Sequence, residues 1–296
     1  MRRPIFLLTS LAACCVGLAA APAAASGDDA AEAETAPAPE TQDAADDRAA
    51  LRDLTTDRPD VTESPYTVDA DHIQIETTLL GYSRSRRDAA GHVTDSYEFA
   101  TSNLRVGLTD RLEFDVVWQP YGIADQRAGG STARGIGSVD LRAKFNLWGN
   151  DGLAKPGDTA LALLPYVTLP TDGDNGIGES EVAFGLIVPL AIELGDGFGL
   201  GLNAAVGFTR AADDPTYDAA VLTSASLAYE WTARLGTYAE AVWEFSRAGA
   251  EGDVVTLDTG FTYGLGKDLQ LDAGINIGVT RAADPIAPFI GITARF

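Results

Sequence analysis

Ser138-Val139-Asp140-Leu141-Arg142-Ala143-Lys144-Phe145-Asn146-Leu147-Trp148 is the stretch that decides how the rest of the chain is read. Val139, Leu141, Ala143, Phe145 and Leu147 alternate with Asp140, Arg142, Lys144 and Asn146. A helix would scatter these two sets around its circumference. On a strand, successive side chains point to opposite faces, so one face is wholly apolar and the other wholly polar.

The same period recurs on either side. Leu112, Phe114, Val116 and Trp118 alternate with Arg111, Glu113 and Asp115. Leu200, Leu202, Ala204 and Val206 alternate with Gly201, Asn203 and Ala205, and Leu271, Ala273, Ile275 and Ile277 with Asp272, Gly274 and Asn276. Strands are predicted near 72–82, 97–108, 111–119, 138–148, 160–169, 182–194, 198–208, 217–229, 233–245, 253–263, 269–279 and 288–296. That makes about twelve, each close to the roughly 9–11 residues of a tilted membrane strand. After residue 54 no stretch approaches the roughly 18 apolar residues of a membrane helix.

A soluble β-sandwich also alternates, so the connections matter. Thr109-Asp110, Gly195-Asp196-Gly197, Glu230-Trp231-Thr232 and Gly264–Asp268 are tight, whereas 83–96, 120–136, 170–180, 210–216, 247–252 and 281–287 are mostly longer and more polar. Short turns at one end and long loops at the other mark an outer-membrane barrel, with the turns in the periplasm. Gly149–Asp158 is the exception, a longish connection at the turn end. Aromatic residues gather at strand ends. Trp118, Phe208, Tyr217 and Trp243 fall at the outer rim, and Trp148, Phe198, Tyr229, Tyr263 and Phe296 at the inner one. Amphipathic rings prefer those interface levels. The expected fold is therefore all-β: a closed antiparallel transmembrane barrel of about twelve strands in the bacterial outer membrane.

The N-terminus agrees with export. Arg2 and Arg3 precede an apolar run from Ile5 to about Leu18, and Ala23-Ala24-Ala25 before Ser26 fits signal cleavage, so residues 1–25 read as a removed signal peptide. Leu11-Ala12-Ala13-Cys14 resembles a lipoprotein box, but the apolar run continues to Ala21 and favours the later cut. Residues 26–53, rich in Ala, Asp, Glu and Pro, cannot bury enough surface to offset ordering entropy and read as a disordered linker. Residues 54–296 form the barrel with an N-terminal periplasmic strap.

Composition excludes several functions. The 2 cysteines, Cys14 and Cys15, both lie in the signal, which suits passage through an oxidising compartment. Removing Arg2 and Arg3 with the signal takes the formal charge from -22 to -24, so no phosphate-neutralising face for nucleic acid is expected.

The segment Thr56-Asp57-Arg58-Pro59-Asp60-Val61-Thr62-Glu63-Ser64-Pro65-Tyr66-Thr67-Val68 resembles the opening motif of the family named for a MetA pathway of phenol degradation. Gly107–Glu113, Gly135–Leu141 and Leu164–Pro170 also look similar, as more generic strand and turn text. The resemblance runs from about residue 55 to the C-terminus and implies an outer-membrane barrel of transporter type. Read physically, Asp57, Arg58, Asp60 and Tyr66 belong either to a strap closing the periplasmic mouth or to a gating plug.

Candidate chemistry is sparse. His72 and His92 are the only histidines, at opposite ends of the first hairpin; with no G-x-S-x-G, neither a hydrolase nor a zinc site is expected. Asp172–Gly176 lacks the register of a calcium loop. No cofactor or metal is expected. The polar inward face should be lined by Glu113, Asp115, Asp140, Arg142, Lys144, Arg234, Glu240 and Asp272. Counting back from the loop centre near residue 128 sets Asp115 against Arg142 and Glu113 against Lys144, a ladder of ion pairs. Such a lumen either conducts water or fills itself with paired charges. The expected function is a channel or transporter for an unknown small solute, hydrophobic or aromatic, with a plugged structural or surface-interaction barrel as the alternative. Expected partners are outer-membrane lipid and, through the terminal aromatic Phe296, the barrel-insertion machinery. Trp118, Trp148, Trp243 and Phe296 are the expected girdle residues.

Overall fold

A computed structural model describes residues 51–296 apart from 89, 128–129, 172–174, 211–215 and 247–251. The expected signal peptide, most of the expected linker and residues 172–174 lie outside the described residues. The strands are β1 (Ile73–Arg84), β2 (Thr94–Glu98), β3 (Ser102–Thr109), β4 (Leu112–Trp118), β5 (Gly122–Gln126), β6 (Thr132–Gly135), β7 (Val139–Trp148) and β8 (Thr159–Leu169). They continue with β9 (Ala183–Gly195), β10 (Phe198–Arg210), β11 (Tyr217–Glu230), β12 (Leu235–Ser246), β13 (Val254–Gly264), β14 (Leu269–Gly278) and β15 (Ala287–Arg295).

Six of these are halves of longer strands. β1 pairs with β3 at Thr77↔Ser102 and with β2 at Gly81↔Glu98, so β2 and β3 form one stave interrupted near Ala100. β4 and β5 likewise continue one another, as do β6 and β7. The result is a barrel of 12 antiparallel staves, each joined to its neighbours in sequence. β15 closes on β1 with Gln74↔Arg295 and Thr77↔Ile292. Closure of β15 on β1 leaves the wall without a free edge, the condition for crossing hydrocarbon with strands, while β6, paired with β5 alone among the named strands, ends the sheet.

One expectation is corrected here. The segment 120–136 is not simply a loop, because β5 and β6 carry the hairpin onward as a flange beyond the barrel wall. Short polar strands such as Thr132-Ala133-Arg134-Gly135 have too few residues to show a period.

At the turn end, Gly195, Asp196 and Gly197 all take positive φ (87°, 54° and 81°), a reversal that glycine on both sides makes inexpensive. The outward face is apolar around the wall, with Phe114, Phe145, Phe184, Leu257, Phe261 and Ile290 exposed. Aromatic clusters sit at both ends. Phe184 packs on Phe208 and Tyr217 at the loop end, and Tyr229 on Phe198 and Trp231 at the turn end.

Candidate functional site: a plugged lumen between two vestibules

Residues 51–70 do not stay at the mouth. They enter the barrel, turn inside it and return before β1 begins. Asp57 organises the turn: its carboxylate accepts from the Ser64 N–H (3.1 Å) and hydroxyl (2.7 Å), while its own N–H donates to Glu76 (3.1 Å). At the tip, the Val61 and Thr62 N–H groups each donate to Glu240 on β12 at 2.8 Å. On the returning arm the Thr67 N–H donates to Asn150 (2.9 Å) and the Val68 N–H to Glu113 (2.6 Å). Irregular backbone at membrane depth must find partners inside the protein, and here wall carboxylates and amides supply them. Asn150 explains the long 149–158 connection, which reaches inward to hold the plug.

The charged side of the lumen is built from β1, β3, β4 and β7. Arg105, fully buried, donates to Glu76 (2.7 Å), Glu113 (2.9 Å) and the Tyr66 carbonyl (2.7 Å). Lys144 lies 2.8 Å from Asp57 and 3.1 Å from Glu113. Arg142 pairs with Glu63 (2.7 Å) and Asp140 (2.8 Å). Across the barrel, Arg58 meets Asp272 at 2.6 Å, bonds Thr78 and lies 5.4 Å above the Phe289 ring. Arg58, Arg105, Arg142 and Lys144 therefore each have an opposite partner, without which burying a cation would be prohibitive. Burial raises the Asp57 carboxyl, but Arg105 and Lys144 overcome that and hold it well below the usual carboxylate range. Burial pushes Glu63 up to about 7, aided by the Asp57 charge and opposed by Arg142. Asp60, beside Glu240, is pushed to about 8 by burial and then by that second carboxylate.

The ladder register is Glu113↔Lys144 and Asp115↔Arg142. The first rung closes as an ion pair. The second stays open, because Arg142 turns to Glu63 on the plug, and neither Asp115 oxygen has a hydrogen-bond partner among the described residues. Asp140, Glu240 and Asp272 face inward against Thr168, the plug tip and Arg58. Arg234 is a correction: β12 begins at Leu235, which leaves Arg234 exposed in the preceding turn rather than lining the lumen. Asp57, Arg58, Asp60 and Tyr66 lie in the lumen, deeper than a strap across its mouth. Trp148, Trp243 and Phe296 are exposed on the outside, while Trp118 is half-buried. His72 and His92 stay apart, the first near the Ala70 carbonyl (2.9 Å) and the second near Asp88 (3.5 Å).

Sequence reasoning missed an apolar sector of the lumen. Leu164, Tyr166, Ile187, Ala205, Leu222 and Val242 form one buried cluster on β8–β12, and Val61 of the plug packs on it. The signal was present: Ala160–Leu164 and Leu186–Ile192 are apolar on both faces, as strands buried on both sides are. Above the plug, toward the loops, a cavity of about 410 Å³ is lined by Val61, Leu222, Val242, Ile123, Ile177 and Phe289, with Glu98, Gln119 and Asn276 among its polar groups. Below it, a polar cavity of about 520 Å³ is lined by Arg52, Tyr66, Asn150, Glu193 and Arg295. Within the plug level a gap of about 20 Å³ remains, between Asp57, Glu63, Asn103 and Arg142.

A closed 12-stave antiparallel barrel with an apolar exterior and a charged, plugged interior defines a bacterial outer-membrane β-barrel. Residues 56–296 match the family described as "Putative MetA-pathway of phenol degradation", and the chain belongs to that family. Its fold is similar to the COG4313 outer membrane channel from Pseudomonas putida F1, at 14% identity and a TM-score of 0.59 over 82% of this chain and 100% of that one. It also aligns with the NanC porin (9%, 0.47, 75% and 98%) and with the translocator domain of the autotransporter NalP from Neisseria meningitidis (11%, 0.47, 77% and 90%). No curated protein matches the chain by sequence comparison.

Proposed function

We propose that the protein is a channel or transporter for small hydrophobic or aromatic molecules, with residues 51–70 as a plug that must shift for cargo to pass. The apolar sector carries this reading. A water-filled pore gains nothing from Leu222, Val242, Val61 and Phe289 around one cavity, whereas an apolar ligand is held by such walls with a few polar groups for orientation. The paired charges below seal the lumen against ions. Catalysis is not part of the reading, since the two histidines lie at opposite ends of the first hairpin. Phe296 is read as the contact for the insertion machinery: its backbone is bonded to Ile73 on the closing strand and its ring is exposed.

The test is uptake by liposomes holding the purified barrel, comparing a monoaromatic alcohol with a sugar of similar size, alongside single-channel conductance. Selective entry of the aromatic with low ionic conductance is the expected result. The gap of about 20 Å³ at plug level favours the second reading, a structural barrel, and equal exclusion of both solutes would select it.

A further inference from the structure

The outer wall of the flange carries a feature the transport reading does not use. On the outward face of β1, Leu80, Tyr82 and Arg84 follow one another at about 7 Å per step. Leu80 stands across from Ile290 on the lipid side, Tyr82 across from Tyr97, and Arg84 across from Asp95. Apolar, aromatic and cationic is the order of acyl chain, interface and phosphate in a bilayer leaflet.

At the cationic level one buried carboxylate sets two guanidinium groups. Asp95, 1% exposed, accepts from the Tyr82 hydroxyl (2.6 Å), the Arg84 Nε (2.7 Å) and the Arg127 Nε. Each arginine gives only its Nε to Asp95. The Arg84 and Arg127 side chains are 42% and 56% exposed. Beside them, Arg84, Arg87, Arg127, Ser85, Gly91 and Val93 line a concavity of about 380 Å³ that includes no carboxylate. Arg87 gives one nitrogen to the Gly91 carbonyl. Three arginines converging on one hollow stand out in a chain of formal charge -22.

We propose that this hollow binds the headgroup phosphate of a phosphorylated glycolipid of the outer leaflet, of the lipid A type. The proposal rests on the orientation in which the hairpin loops face the cell exterior. Planar guanidinium forks oriented through Nε present paired N–H groups that match a phosphate bidentately. Tyr82 and Tyr97, with ring centroids 5.2 Å apart, lie at the level of the sugar, and Leu80 and Ile290 at the level of the acyl chains. The acidic remainder of the surface repels anions, which confines binding to this place.

The test uses the full-length mature protein in detergent, with binding of bis-phosphorylated lipid A read by native mass spectrometry. Lipid A stripped of its phosphates and inorganic phosphate serve as comparators. Heat-modifiable gel mobility checks folding. Affinity should fall about fivefold for each of Arg84→Ala, Arg87→Ala and Arg127→Ala, with Arg84→Lys retaining part of it. The stripped lipid should bind no better to the original protein than to the triple variant. Should the triple variant fail to fold, Arg87→Ala decides, because its side chain holds only a loop carbonyl. Undiminished binding by the folded variants, or equal binding of the stripped lipid, overturns the proposal. Displacement of lipid A by an equal concentration of inorganic phosphate also overturns it, since the site would then be one for a free anion.

Discussion

Lys144 on β7 stands directly across from Glu113 on β4 with its ammonium 3.1 Å from the carboxylate, yet its shorter contact, 2.8 Å, is to Asp57 on the plug. The wall and the plug thus share one cation, and the same division recurs one rung away, where Arg142 leaves Asp115 for Glu63.

That division sets the outcome of a charge exchange. Arg142→Glu places a third carboxylate beside Glu63 and Asp140 and should destabilise the barrel by about 3–5 kcal/mol, the usual cost of breaking a buried pair. Glu63→Arg in the same chain should recover much of the loss, whereas Asp115→Arg should recover little. Urea unfolding in detergent measures all three, and equal rescue by Asp115→Arg would make the wall ladder the true partner.

The plug tip depends on Glu240, which accepts both backbone N–H groups and the Thr62 hydroxyl. Glu240→Ala leaves two buried donors unsatisfied, a cost of about 1–3 kcal/mol each, and should release the tip. Single-channel conductance should rise, and deletion of residues 57–64 should raise it further. Unchanged conductance in both would remove the plug from any gating role.

Plug seating should weaken as pH rises. Asp60 keeps its proton in the lumen up to about 8 but would lose it near 3.8 once released, so release sheds a proton. Seating is then strongest below the lower value and is lost progressively up to the upper one. Glu63 acts in the same direction, and Asp57, whose carboxyl is lowered, opposes it only in strong acid. A cysteine at Val61 should react faster with an impermeant thiol reagent at about pH 8 than at about pH 5. Asp60→Asn should flatten the difference; a rate that falls with pH would contradict the assignment.

The lipid face has its own signature. Leu202→Arg or Ile275→Arg should cost about 2–4 kcal/mol at mid-membrane. Asn276→Arg, whose side chain would enter the outer cavity, should be mild. Asn203→Arg is inward but not mild, because the Asn203 amide holds the Glu63 backbone at 2.7 and 3.2 Å. Vesicle refolding titrations rank the four, and a mild Leu202→Arg would take that face out of the lipid.

Orientation is checked by labelling intact cells. A cysteine at Ala90, exposed in the first hairpin loop, should react, and one at Gly266, in a tight turn, should react only after lysis. The reverse pattern would invert the barrel.

Much of the wall was legible because strand information is local. Val139 to Leu147 show their faces within one stretch, and Gly195-Asp196-Gly197 shows its turn in three residues. Arg234 was misplaced because alternation continues through a turn whose boundary depends on hydrogen bonds. The flange strands β5 and β6 were too short to carry a period.

The amino-acid sequence by itself determined the strand number, their neighbours, which side chains face lipid, and the presence of a carboxylate-rich segment ahead of β1. Only the tertiary structure decided where that segment goes. Val61 meets Glu240 across a separation of 179 residues, and Arg58 meets Asp272 across 214. Such contacts form only once the barrel has closed to a fixed width, leaving buried charges on one wall that need partners and an apolar sector on the other that needs cover. No local period encodes that diameter; the plug finds its place because it satisfies both walls at once.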